Sequence, residues 1–371
     1  MICYQYRLYP NREQVALLWK HANKLNSLYN YFLNQRNIVY DTYNIPVTRY
    51  DQQAELVRLK KIDPELKDIY SQVLQQVPLR LDNTFKAFFR KDNEDQGYPR
   101  FRSCRNFFSI CYPQSGFTIA DNIFTTTAYG DIKFYKHRPY NGKIKQVTIT
   151  CDSRNRFYIS ITVDVILRKP YTRKVIGIDV GITNLVATNT GDIIKNKTHA
   201  KYFDKQIDKL KSRRDKQYKK GSREYIRLSR TINRLYEMKN RKVTDYLHKI
   251  SKNLTSKYDT IFCEDLSLKR MSESNITGLN RGLRNSGLST FISYLNYKSK
   301  QLIKVNPRNT SKTCNRCGNI IDMPLHKRTY QCTCGYVEDR DINAAKNIHC
   351  LGQAILNGYT EITLQEALTF R

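Results

Sequence analysis

Apolar and polar residues alternate at the start of the chain, with Ile2, Tyr4, Tyr6 and Leu8 on one side and Cys3, Gln5 and Arg7 on the other. This two-residue period predicts a half-buried strand, and Pro10 ends it. Asn11 followed by Gln14 has the spacing of a capping box. It precedes Val15, Leu18, Ala22, Leu25, Tyr29 and Phe32 at helical intervals, so a long amphipathic helix is expected. A second helical region runs from AELVRLKK to FKAFFRK, where Pro64 and Pro78 are expected to break it. Residues 11–92 thus read as a helical lobe.

Beyond residue 97 the period shortens and β-branched residues become frequent. FTIADNIFTTTAYGDIKFYK and KQVTITCDSRNRFYISITVDV read as strands, the second as a hairpin turning at DSRNR. Together with the first strand they are expected to form a small β-barrel into which the helical lobe is inserted. From residue 171 three short strands follow closely (KVIGIDV, NLVATN, DIIKN), similar to the opening meander of an RNase H-like α/β fold. A helical pair over residues 200–256 turns at Gly221, and its second arm carries Leu228, Ile232, Leu235, Val243, Leu247 and Ile250 at helical spacing. YDTIFCEDL then reads as a buried strand, GLSTFISYLNYKSKQ as a helix, LIKVNP as a strand, and DRDINAAKNIHCLGQAIL as a helix starting near its second aspartate.

Charge narrows the choice of partner. Across 371 residues, 64 Lys and Arg face 33 Asp and Glu, a formal net charge of +31. Such a field recruits phosphate backbones by releasing their counterions, so nucleic acid is the expected partner. Residues 201–250 hold seventeen Lys or Arg against six Asp or Glu. Arg213, Arg214, Lys219 and Lys220 there are candidate nucleic-acid contacts, although a solvated helix face is the ordinary reading of such a run. No stretch approaches the ~20 apolar residues of a membrane helix, and the N-terminus lacks a signal peptide's apolar core. A cytosolic location is expected, or a nuclear one in a eukaryotic host. Six of the ten cysteines are scattered, which suits reduced thiols rather than a disulfide framework.

Three acids near the ends of apolar runs carry the candidate chemistry: Asp179 in GIDVG, Glu264 in FCEDL and Asp341 in DRDINAA. Two strands and a helix can bring them together. Three carboxylates without a histidine cage suit Mg²⁺ (or Mn²⁺), and two such ions can cleave a phosphodiester by in-line displacement. Asp265 should point to the opposite face of its strand, and Asp339 should cap the helix. A glycine-flanked Asp also occurs in the phosphate loops of actin-like ATPases, but no second phosphate loop is evident. Cys314 and Cys317 form C-x2-C, and Cys332 and Cys334 form C-x-C. Four thiolates suit one closed structural Zn²⁺ site. The short second pair makes Cys332 the odd ligand, with His326 as its possible substitute.

YRLYPNREQ, YPRFR with a following serine, GIDVGITNL, DYLHK, EDLSLKRM, NTSKTCNRCG and CGYVEDRDINAAKNI together resemble, in order and along the whole chain, the TnpB family: transposon-encoded RNA-guided DNA endonucleases related to type V CRISPR effectors. The resemblance implies a multidomain α+β and α/β fold. Residues 1–10 and 93–170 would be a split, wedge-like β-barrel, 11–92 an inserted helical recognition lobe, 171–310 and 336–371 an RNase H-like RuvC nuclease domain, and 311–335 an inserted zinc-ribbon-like module. It implies catalytic roles for Asp179, Glu264 and Asp341 and zinc roles for the four clustered cysteines.

The implied partners are a guide RNA from the transposon end and a double-stranded DNA target, with no membrane and no small-molecule substrate. Guide pairing would read sequence while the protein reads a short target-adjacent motif. Gln75 and Gln76 lie on the helix that resembles the motif-reading one, and Gln can pair bidentately with adenine. The competing functions are an RNA-guided DNA-binding regulator that has lost cleavage, and an unguided transposase- or resolvase-like nuclease.

Overall fold

The computed structural model describes residues 1–90, 97–103, 108–165, 172–197, 200–266, 282–283, 285–324, 327–359 and 362–369. His326, named above as a substitute zinc ligand, lies outside the described residues. The chain divides into two compact units, Met1–Arg168 and Lys169–Arg371.

In the first unit the N-terminal strand β1 (Ile2–Tyr9) lies inside a seven-stranded sheet, between β5 (Gly130–Tyr135) and β7 (Phe157–Asp164) and antiparallel to both. Outward from β7 come β6 (Lys143–Cys151) and β2 (Ser109–Tyr112); outward from β5 come β4 (Ile123–Thr126) and β3 (Thr118–Ala120). The expected split, wedge-like β-barrel takes the form of a curled half-barrel with β2 and β3 as its edges. The physical reason lies in the chain path. β2 and β3 stand at opposite edges, yet only residues 113–117 separate them, a link that spans at most roughly 20 Å. The sheet must curl to bring its edges that near, but strands of four and three residues offer too little backbone to zip them together.

Helix α1 (Arg12–Tyr43) starts with both halves of its capping box made: Asn11 Oδ1 accepts from the Gln14 backbone, and Gln14 Oε1 accepts from the Asn11 backbone. Helix α2 (Arg49–Ile62) repeats the device with Thr48 and Asp51. Pro64 opens a short 3-10 turn, as a break requires, whereas α3 (Ser71–Phe88) runs straight through Pro78. A proline inside a helix costs about 3 kcal/mol. Here Val73, Leu74, Val77, Pro78 and Leu81 are all buried on one stripe, and that packing outweighs the lost hydrogen bond. The helices and the sheet share one core, in which Leu18, Phe32 and Leu74 join Tyr6, Ile110 and Ile149.

The second unit is built on a five-stranded sheet ordered β10-β9-β8-β11-β12. Strands β8 (Val175–Asp179), β9 (Asn184–Thr188) and β10 (Ile193–Lys195) form an antiparallel meander. Strands β11 (Thr260–Glu264) and β12 (Gln301–Val305) continue it in parallel with β8. Helix α4 (Ala200–Gln217) turns at Gly221, whose φ of +91° favours glycine, into α5 (Arg223–Lys257).

Each face of this sheet has its own core. Ile176, Ile178, Ile261 and Cys263 pack with Leu247 and Leu254 of α5 and with Phe291 and Leu295 of α6 (Leu288–Lys298). On the other face Phe262 and Val305 pack with Ile348, Leu351 and Ala354 of α7 (Arg340–Leu356) and with Leu364 of α8 (Leu364–Thr369). A two-stranded ribbon, β13 (Thr329–Gln331) and β14 (Val337–Asp339), leads directly into α7.

Candidate functional site

Strand alternation decides which side chains meet α7. Gly177 lies against this helix so closely that an added Cβ would stand 2.6 Å from the Ala345 carbonyl oxygen and 2.7 Å from the His349 nitrogen. Phe262 faces the same helix, with its ring against Gly352. Side chains two positions apart on a strand share a face, so Asp179 and Glu264 also project toward α7. The parallel register that pairs Phe262 with Gly177 brings Glu264 beside Asp179 two residues further on. Asp341 precedes Ala345 by four residues and His349 by eight, one and two turns along the same stripe. A helical turn rises about 5.4 Å and two strand residues about 6.6 Å, so stepping from Gly177 to Asp179 and from Ala345 to Asp341 moves along both elements in parallel.

Gly177 is thus the close contact that seats the helix. Gly177→Val is expected to force α7 off the sheet and lower the thermal midpoint, at a cost of about 3 kcal/mol or more. Unfolding followed by circular dichroism checks this, and an unchanged midpoint would show that α7 does not depend on the contact.

The electrostatics match an acidic cluster. Burial holds the Asp179 carboxyl well above the ordinary carboxylate range, and the charges of Glu264 and Asp341 push it in the same direction. The nearby Arg340 guanidinium and the Val180 backbone amide offset only part of this. Burial also raises Glu264, while a hydrogen bond donated by Thr310 Oγ favours its ionised form. Asp341 Oδ2 accepts from Asn184 Nδ2 at 2.8 Å and lies 3.7 Å from Arg328; its Oδ1 lies 3.3 Å from Arg340 Nη2. Asp339 caps α7 by accepting from the Asp341 and Ile342 backbones, and Asp265 pairs outward with Lys304 at 2.8 Å. Burial disfavours the charge on Asp179 and Glu264, and three hard oxygen donors are a set that fits a divalent metal.

The ligand atoms of Cys314, Cys317, Cys332 and Cys334 all lie within 4.8 Å of one another. The Cys314–Cys334 and Cys317–Cys332 sulfur separations are 3.8 and 3.6 Å. A tetrahedron with bonds of about 2.3 Å has edges of roughly 3.8 Å, so the cluster fits a structural zinc site, Cys332 included. Gly318 and Gly335 follow the two cysteine pairs with φ of +75° and +82°, closing the tight turns that aim the sulfurs inward. The thiols differ without metal: burial pushes Cys314 up to about 12, while the Cys334 backbone amide and the neighbouring thiols draw Cys332 down to about 6.

The candidate nucleic-acid residues do not act as one set. Gln75 is exposed, and its carbonyl accepts from Gln53 Nε2 at 3.5 Å. Gln76 is half-buried and lines a crevice with Asn26, Arg80 and Arg102. Arg214 is held by Asp215 at 2.8 Å and lies over the Tyr225 ring, whereas Arg213, Lys219 and Lys220 are exposed.

Thr310, Asn184, Arg328 and Arg340 escaped the sequence reading. Asn184 stands in GIDVGITNL, Thr310 in NTSKTCNRCG and Arg340 in DRDINAA, all motifs quoted above, whereas Arg328 stands in none of them.

Family models match three stretches of the chain: one described as a Cas12f1-like TNB domain over residues 289–348, one described as "Probable transposase" over 158–275, and one described as a helix-turn-helix domain over 1–44. Over this last stretch the structure holds one strand and one long helix. A Streptomyces pristinaespiralis protein named "Putative RNA-guided DNA endonuclease" is 30% identical over 95% of this chain and 89% of its own length. InsQ of Escherichia coli K12, of the same description, is 27% identical over 95% of this chain and 92% of its own. The TnpB-like protein L770 of Acanthamoeba polyphaga mimivirus is 25% identical over 93% and 72%. Among solved structures, the Cas12f1 chain of a Cas12f1–sgRNA–target DNA complex matches the fold with a TM-score of 0.53 at 17% identity, over 90% of this chain and 81% of that one. Among the described residues no helix is long and apolar enough to cross a membrane.

Proposed function

The chain belongs to the TnpB family, and from that membership we propose that it is a transposon-encoded, RNA-guided DNA endonuclease whose cleavage centre is Asp179, Glu264 and Asp341. The observation that carries the proposal is the position of these acids on one face, at the ends of β8 and β11 and the start of α7, where burial first and then the charges of the other two raise Asp179. In this reading the three carboxylates hold two Mg²⁺ or Mn²⁺ ions, and Cys314, Cys317, Cys332 and Cys334 hold one structural Zn²⁺. Bound divalent ions supply an activated water and charge stabilisation for the leaving oxygen.

The chain's own residues do the positioning. Asn184 and Arg340 orient Asp341 from either side, Asp339 locks the first turn of α7, and the close packing of Gly177 fixes the height of that turn over β8. The basic excess of the helical pair attracts the nucleic-acid backbone, with Arg213, Lys219 and Lys220 the cations available for it. We assign the domains as residues 1–10 and 93–170 for the wedge-like half-barrel, 11–92 for the recognition helices, 171–310 and 336–371 for the nuclease, and 311–335 for the zinc module. Guide RNA and target duplex are the proposed partners.

The test is to purify the protein with RNA transcribed from its own locus, sequence the retained RNA, and challenge matched and mismatched plasmids. Cutting of the matched plasmid alone, and only with a divalent metal, is expected. Equal cutting of both plasmids would reduce the protein to an unguided nuclease, and binding without cutting would leave a guided DNA-binding regulator.

A further inference from the structure

A buried chain of hydroxyl and amide groups joins the zinc knuckle to Glu264. Asn315 sits between Cys314 and Cys317; its backbone N–H donates to Asn343 Oδ1 at 3.1 Å, and its Nδ2 donates to Asn347 Oδ1 at 2.8 Å. The amides of α7 reach back: Asn343 Nδ2 donates to the Thr313 carbonyl at 2.9 Å, and Asn347 Nδ2 to the carbonyls of Thr310 and Thr313, both at 2.8 Å. Thr310 Oγ in turn donates to Glu264 Oε1. Asn343 and Asn347 are fully buried, and Thr310, Thr313 and Asn315 nearly so. A segment this polar is seldom placed in a core unless its geometry matters, because each group is costly unless paired.

We propose that Thr310 is a positioning residue for metal binding: its hydroxyl fixes the Glu264 carboxylate, and the Asn315–Asn347–Asn343 ladder holds the Thr310 backbone against α7. This goes one step beyond the proposed function and rests on Glu264 being a metal ligand there. Two of the three acids then take their places from α7, Asp341 as part of it and Glu264 through the loop it holds. A hydroxyl has one proton, and the alternative acceptor for this one is the Pro307 carbonyl at 3.2 Å. The ionised carboxylate is the stronger acceptor, so the bond to Glu264 is made when metal is to be bound. Loss of an outer hydrogen bond to a metal ligand costs about 10- to 100-fold in metal affinity.

The experiment uses the guide-RNA complex of the full chain. Thr310→Val keeps the shape and removes the donor; Thr310→Ser keeps the donor. Mn²⁺ affinity is read by electron paramagnetic resonance, the Mg²⁺ level for half-maximal cleavage by titration, and zinc by metal analysis. Thr310→Val is expected to weaken Mn²⁺ binding and raise the Mg²⁺ requirement about tenfold with zinc retained, while Thr310→Ser stays within about twofold of the parent. On a Glu264→Gln background, Thr310→Val should change Mn²⁺ affinity no further. Unchanged Mn²⁺ affinity in Thr310→Val, an undiminished effect without Glu264, or loss of zinc or of cooperative unfolding would each overturn the proposal. Retained Mn²⁺ affinity and cleavage in Glu264→Gln alone would instead sink the metal-site reading itself.

Discussion

Replacing Asp179 with Asn is expected to abolish cleavage of guide-matched DNA, by roughly 10⁴-fold or more, and at the same time to stabilise the metal-free protein. The first effect follows from removing a proposed metal ligand; the second follows from the surroundings of the carboxyl. Burial and two neighbouring acids hold Asp179 well above the ordinary carboxylate range, so the folded chain binds this proton more tightly than the unfolded one. Its contribution to stability is then complete below the ordinary carboxylate value near pH 4 and is lost as the pH rises through the higher folded value. At neutral pH the metal-free site is therefore under strain from charges that Arg340 and Arg328 offset only in part. Asn removes one of those charges and keeps the shape. The thermal midpoint of metal-free Asp179→Asn at pH 7.5 should exceed that of the parent by about 2 °C or more. The gap should close at pH 4, and Mg²⁺ should stabilise the parent alone. Guided DNA binding should be nearly unchanged, as measured by filter retention. A lower midpoint, or lost binding, would make Asp179 a structural residue.

Cys317→Ser should remove zinc and cleavage together. The module around the knuckle has a small core of its own, chiefly Met323 and Tyr330 with the cysteines, too little to hold a fold by apolar burial. Zinc binding in comparable small domains is worth about 10–16 kcal/mol, and most of that stabilisation disappears with one ligand gone. The loss spreads because Asn315 is held between two ligands and bonds the face of α7 that carries Asn343 and Asn347. Metal analysis should fall from about one zinc per chain to none, and limited proteolysis should open the segment between β12 and α7. Cys350→Ser, outside the cluster, should keep its zinc. Full cleavage by zinc-free protein would separate the two sites and end this account.

Much of the fold was legible because local chemistry states it. The Asn11–Gln14 box, the Asp339 cap, the turn at Gly221 and the alternation of β1 are all decided within a few residues of themselves. The positions of Asp179, Glu264 and Asp341 were legible for a related reason: each ends or begins an apolar element, and element ends gather at one edge of a parallel sheet. What stayed hidden depends on distant partners. Pro78 is tolerated only because the stripe around it is buried. Thr310 lies in the quoted NTSKTCNRCG stretch, but its meaning comes from Glu264, 46 residues earlier. Asn343 and Asn347 left a trace, two amides four residues apart on a helix and interleaved with the apolar Ile342, Ala344, Ala345 and Ile348. In such a place they ask for a polar partner.

The chain order of the three acids has a consequence for synthesis. Asp179 and Glu264 leave the ribosome well before Asp341, and α7, which seats Asp341, follows β8 and β11 by many residues. A nascent chain therefore completes its first unit while the proposed cutting centre still lacks one carboxylate, so assembly of that centre waits for α7. A premature stop or frameshift anywhere from residue 169 to 340 leaves the first unit whole and no complete acid set. Damage to the reading frame disarms the protein before it can release a half-made nuclease.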